Sequence, residues 1–139
     1  MRIPSVGGWL LAVVVVLLTG CGASLVPVQG KVSVDGNPLD TGYVSYHPAG
    51  AKEQLEAQIG RASIEADGSY KLSTDGKPGV PPGKYRVVVT AGKPSNPSDP
   101  YSVPVSLVDA KFTLPESTPL EVEVSSSAGA GAYDLKVTK

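Results

Sequence analysis

The residues able to do chemistry in this chain are few. Among 139 residues there is one Cys, Cys21, and one His, His47. His47 is thus the one imidazole available as a general base, and a Ser-His-Asp arrangement would have to run through it. It stands in the outward phase of an alternating run, directly before Pro48, which predicts a solvated side chain at a strand end. One Cys and one His cannot make a Cys/His zinc site, and a lone Cys excludes a disulfide framework. Asp35-x-Asn37 and Asp67-x-Ser69 have the start of a calcium-loop spacing but not its run of oxygen ligands or its distal Glu. Asx turns account for both. Catalytic, cofactor-binding and metal-ligating residues are therefore all expected to be none. What remains is contact chemistry: Tyr43 and Tyr101 are expected to be exposed and could stack on a sugar ring.

The surroundings of Cys21 are informative. Arg2 is the one side-chain charge before a run, Trp9 to Leu18, in which every residue is apolar. That run is shorter than the about 20 residues a membrane-spanning helix needs, and it fits the apolar region of a secretory signal. The next four residues, Leu18-Thr19-Gly20-Cys21, resemble the bacterial lipobox. The resemblance implies a lipoprotein signal peptide over 1–20, cleavage before Cys21, and a diacylglycerol thioether on the Cys21 sulfur. Acylation of the new amine would follow. Each buried methylene contributes about 0.8 kcal/mol, so two or more chains anchor stably. Residues 21–27 would be the lipidated Cys and a short tether, and 28–139 the folded domain. In the diderm lipoproteins it resembles, an Asp after the lipidated Cys favours inner-membrane retention; by that analogy Gly22 would permit export to an outer membrane. The expected location is a cell membrane or outer membrane, facing the periplasm or the exterior. The expected partners are that membrane and an unknown envelope protein or polysaccharide.

The elements that hold these residues are strands. Gly and Pro number 16 and 13, charged residues make up 18%, and the formal net charge is −1. Such a chain suits strands and turns, and its balance excludes a basic nucleic-acid footprint. From Val28 onward apolar residues alternate with polar ones in seven runs: 28–34, 43–47, 61–65, 69–73, 84–91, 120–124 and 133–138. In the fifth, Val88 breaks the pattern. The turn dipeptides Asp35-Gly36, Asp67-Gly68 and Asp75-Gly76, and Pro81-Pro82-Gly83, separate them. Strands with one apolar face need a second sheet to cover it. The expectation is an all-β, seven-stranded antiparallel Greek-key β-sandwich. Its inward tyrosines would send their hydroxyls to the ends of the sandwich. Residues 49–57 could form a turn or two of helix. Gly92 to Asp109, with four prolines and Tyr101, reads as a long loop able to carry binding. Ser125 to Ala132 reads as a flexible connector.

Two blocks carry a further resemblance. Val28-Gln-Gly-Lys-Val-Ser-Val-Asp-Gly-Asn-Pro-Leu with Gly42-Tyr-Val-Ser-Tyr-His-Pro is one. Asp67-Gly-Ser-Tyr-Lys-Leu with Pro81-Pro-Gly-Lys-Tyr-Arg-Val-Val-Val is the other. Together they resemble the carboxypeptidase regulatory-like, or transthyretin-like (prealbumin-like), domain found in small lipoproteins of the planctomycete type. The resemblance spans Val28 to about Val137 and describes a fold without a reaction. One branch of that fold opens a purine-derived ring with several His and Arg residues and a Tyr-Arg-Gly-Ser signature. This chain has only His47, and Tyr133-Asp-Leu-Lys where that signature would be. Related surface sandwiches cross-link a Lys on the first strand to an Asn or Asp on the last. Lys31 and Asp134 match by order, but their alternation phase points both to solvent. The expected function is a non-catalytic, lipid-anchored envelope protein, structural or accessory. The alternative is a carbohydrate-binding module of the same fold.

Overall fold

The computed structural model describes residues 24–49, 59–129 and 131–139. The chain forms β1 (Gln29–Val34), β2 (Asn37–Pro38), β3 (Tyr43–Pro48), β4 (Gly60–Ser63), β5 (Ser69–Lys71) and β6 (Ser73–Thr74). There follow β7 (Lys77–Pro78), β8 (Gly83–Thr90), β9 (Gly92–Pro94), β10 (Pro104–Ser106), a 3-10 helix (Ala110–Thr113), β11 (Glu121–Val124) and β12 (Leu135–Val137). The larger sheet has the order β11-β8-β3-β4-β6-β7. The smaller has β12-β1-β2, with β5 also on β1, and β9 and β10 pair on their own. The fold is all-β, largely antiparallel and sandwich-like, and the inward faces of both sheets feed one apolar core.

Each alternating run overlaps a strand, and its inward set is buried or, at Val34, Ala62, Leu120 and Val122, partly buried. Val44 and Tyr46 on β3, Val87 and Val89 on β8, Val32 on β1 and Leu135 and Val137 on β12 are all buried. Fully burying such a side chain contributes about 1.5–3 kcal/mol. The 69–73 run changes sheets at Leu72: β5 pairs with β1, whereas β6 pairs with β4. Leu72 is 0% exposed there, and its N–H donates to the Val28 carbonyl at 3.0 Å. Asp35 and Gly36 (φ 49° and 85°) and Asp75 and Gly76 (φ 49° and 75°) form two-residue turns of the kind that joins twisted strands.

Three expectations need correction, and Val88, the exception to the alternation, finds its place. β12 pairs with β1 in parallel, not antiparallel, with Val32 opposite Leu135; strands this distant in sequence share no hairpin that would fix their direction. The 92–109 segment is not a plain loop, since it contains β9 and β10 and ends on Asp109, the N-cap of the 3-10 helix. Val88 is 6% exposed although it points away from the core that holds Val87 and Val89. The Tyr46 and Tyr70 hydroxyls do not go to the ends. They bond each other at 2.8 Å inside the core, and the Tyr70 hydroxyl donates to the Tyr133 carbonyl. Gly30 makes that contact possible, because a Cβ there would collide with the Tyr133 carbonyl. Burial pushes both hydroxyls above the ordinary phenol range. Tyr85 and Tyr133 do bond backbone carbonyls, of Pro81 at 2.5 Å and Ser125 at 3.2 Å. The helical turn expected at 49–57 falls, apart from Ala49, outside the described residues.

The register fixes two ends of the molecule. On β3 and β8, Tyr43 lies opposite Thr90 and Pro48 opposite Tyr85. Val26 pairs with Val80 through bonds of 2.7 and 3.0 Å, just before β8 begins. Gly79, at φ 95°, packs so closely that a Cβ would lie 2.5 Å from the Val26 carbonyl oxygen. The chain therefore enters the fold at the start of β8, and β9 leaves from its far end. The eight residues of β8 put roughly 25 Å between them.

Candidate functional site

The far end carries an arm. Val105 lies opposite Lys93 and Pro104 opposite Pro94. Leu107 N–H donates to the Ala91 carbonyl at 2.9 Å, and Ser95 N–H to the Val103 carbonyl at 3.3 Å. In an antiparallel ladder such bonded pairs alternate with pairs whose polar groups point outward. Pro94 and Pro104 hold that outward position and have no N–H to offer, so both free edges are blunted against strand addition.

The tip is held by its own side chains. Asn96 Oδ1 accepts from Ser98 N–H at 3.0 Å, and Asp99 Oδ1 from Tyr101 N–H at 2.9 Å. Ser102 Oγ accepts from Asn96 N–H and donates to the Asn96 carbonyl, both at 3.2 Å. These Asx-type contacts preorganise the tip, which lowers the entropy lost on binding. Tyr101 in the tip turn, Val103 before β10 and Val105 on it are 93%, 78% and 44% exposed. The sequence signal was available in Val103 and Val105 alternating with Ser102, Pro104 and Ser106, but the prolines masked it.

Tyr43 is 66% exposed at the base of the arm. It lines a cleft of about 470 Å³ with Thr90, Gly92, Pro104, Ser106 and Thr113. Tyr101 is not part of that lining.

The other sequence candidates are placed as follows. Cys21 lies outside the described residues. His47 is half-buried rather than freely solvated, and its Nε2 is 2.9 Å from Ser45 Oγ. A Ser-His pair at that distance has the spacing of a nucleophile and its base. Ser45, however, lies on a strand with neighbours on both sides, β4 and β8, and the ladders occupy the backbone donors that an oxyanion would need. Lys31 and Asp134 are neighbours, through the Lys31 backbone N–H and an Asp134 carboxylate oxygen at 3.0 Å. Both residues are exposed, whereas a spontaneous amide needs a buried pair. Asp67 Oδ1 accepts from Ser69 Oγ at 2.6 Å and Ser69 N–H at 3.0 Å, and these bonds hold its carboxyl below the usual range. Among the described residues no group of three or more His, Cys, Asp or Glu could hold a metal ion.

No protein-family model, curated protein or solved structure matches the chain.

Proposed function

We propose that this protein is a non-catalytic, lipid-anchored module of the bacterial cell envelope, which holds the membrane at one end and presents the β9–β10 arm to an envelope partner at the other. The observation that carries this reading is the position of the Val26–Val80 bridge and the arm at opposite ends of β8. A lipid on Cys21 would sit five residues before Val26, a reach of roughly 15–18 Å at full extension. The paired end then faces the bilayer and the arm faces away from it. Cell membrane and outer membrane are both open to such an anchor.

The fold reading is the carboxypeptidase regulatory-like, Greek-key sandwich. The chain path supports it: β3 pairs with β4, β4 pairs with β6 at the end of the run that β5 begins, and β8 returns beside β3. That is the fourth-beside-first order of a Greek key. The five short strands β2, β6, β7, β9 and β10 are then additions to seven principal ones.

The test has two steps. Intact mass of the protein extracted from its native membrane is expected to begin at Cys21 and carry acyl chains; an unmodified full-length mass refutes the anchor. A photo-crosslinker at Val103 is expected to capture a discrete envelope component, whereas one at Glu123 on β11 is not. Equal capture at both positions refutes the arm as the binding element.

A further inference from the structure

The outward face of the larger sheet begins at the base of the arm, where Tyr43, Ser63 and Thr90 also line the cleft below β9 and β10, and its side chains follow from the register. On one row Ser63, Tyr43 and Thr90 lie side by side on β4, β3 and β8. On the next row Ser73, Arg61 and Ser45 lie side by side on β6, β4 and β3. An aromatic ring flanked by two hydroxyls thus adjoins a guanidinium flanked by two hydroxyls. One strand of sideways offset and two residues along the strand separate Tyr43 from Arg61, which is about 8 Å. These six side chains line one groove of about 630 Å³.

The charge in the groove has one sign in excess. Arg61 and Lys71 line it with one acid, Glu65, although the chain as a whole has a net charge of −1. Neither Arg61 nor Lys71 makes an ion pair among the described residues. Arg86, further along the same face, differs: its guanidinium is committed to the Pro115 carbonyl at 3.1 Å. An exposed ring, four hydroxyls and an exposed planar cation call for a ligand with an apolar ring face, many hydroxyls and a carboxylate.

We infer that this face binds an acidic polysaccharide through its uronic acid units. The C–H face of one sugar ring packs on Tyr43. The Ser and Thr hydroxyls exchange hydrogen bonds with the sugar hydroxyls. Arg61 pairs with the carboxylate, where its fork geometry permits two parallel bonds, and Lys71 adds an unpaired positive charge at the edge. A neutral glycan would leave the excess positive charge of Arg61 and Lys71 over Glu65 uncompensated. The inference does not rest on the anchor or on the arm.

The experiment is calorimetric titration of the full chain in detergent micelles with a galacturonic acid oligomer, and with the same oligomer after reduction of its carboxyls. Binding to the acidic oligomer is expected, at least tenfold tighter than to the reduced one, and weakening severalfold between 50 and 200 mM salt. Tyr43→Ala and Arg61→Gln are each expected to weaken it at least tenfold. Arg61→Lys should recover part of the loss. Both test residues are exposed, and an unchanged melting temperature verifies that each variant is folded. No heat of binding from the folded wild-type chain overturns the inference. So does equal affinity for the reduced oligomer, or wild-type affinity in both Tyr43→Ala and Arg61→Gln. Equal affinity for a polymer of phosphodiesters overturns the carboxylate assignment.

Discussion

At the end where Val26 meets Val80 the chain turns inward, and at the end where β8 runs out it sends a hairpin into solvent. The two segments have similar compositions: 78–83 has Pro78, Gly79, Pro81, Pro82 and Gly83, and 92–104 has Gly92, Pro94, Pro97, Pro100 and Pro104. Their fates differ because of what the apolar residues can reach. Val80 is 0% exposed in the same core as Val28 and Leu72, and Thr74 Oγ1 donates to the Gly79 carbonyl at 2.8 Å. In the arm, Val103 and Tyr101 are packed against no second layer among the described residues and stay 78% and 93% exposed. Proline sets where a chain turns. Whether the turn is buried depends on an apolar neighbour across the core.

The largest expected effect separates the two ends by stability. Leu72→Ala removes a side chain that is 0% exposed where the chain changes sheets. It is expected to cost about 2–5 kcal/mol, through lost burial and the cavity left behind. Val103→Ala in the arm should stay within about 0.5 kcal/mol. Urea unfolding of both variants checks this, and comparable losses would mean that the arm is part of the core.

The next effect lies between the ends, in the tyrosine pair. Tyr70→Phe leaves the Tyr46 hydroxyl and the Tyr133 carbonyl without the partner they have now, a loss of about 1–3 kcal/mol. The pair also predicts a pH dependence. Burial raises both hydroxyls above the ordinary phenol value, which is about 10. Their stabilising contribution is therefore fully present below pH of about 10 and is lost as pH rises beyond it. The melting temperature should fall in that alkaline range, and Tyr46→Phe with Tyr70→Phe should flatten the fall. An equally steep fall in the double variant would place its cause elsewhere.

The sequence made the strands and their inward faces legible, because a period of two leaves a mark on every residue of a half-buried strand. Tyr46, Val87 and Leu135 could be assigned to the core on that basis, and Tyr43 and Tyr101 to the surface. Val80, Val108 and Phe112 are buried from connecting segments, where no period announces them. The parallel partner of β1 was hidden for another reason: alternation tells which face a residue occupies but not which strand lies beside it. The candidate site was legible only in part. Arg61 stood in an outward phase like any solvated residue. Its place beside Tyr43 depends on the β3–β4 register, which a sequence pattern does not carry.

The smallest effect on stability gives the sharpest test of the arm. Pro94 and Pro104 lie opposite each other, in the positions whose backbone groups point away from the hairpin. Replacing both with Thr keeps β-compatible side chains and restores an N–H on each free edge. Both residues are exposed, so stability should change by no more than about 0.5 kcal/mol. Association should change far more, because an open edge of unpaired donors and acceptors templates another strand. Sedimentation of the Pro94→Thr, Pro104→Thr chain in detergent should reveal concentration-dependent oligomers at protein levels where the wild-type chain sediments as one species. If the double variant remains a single species, the prolines are not what keeps the edges apart. The arm's independence would then have to come from the Asn96 and Asp99 contacts that shape its tip.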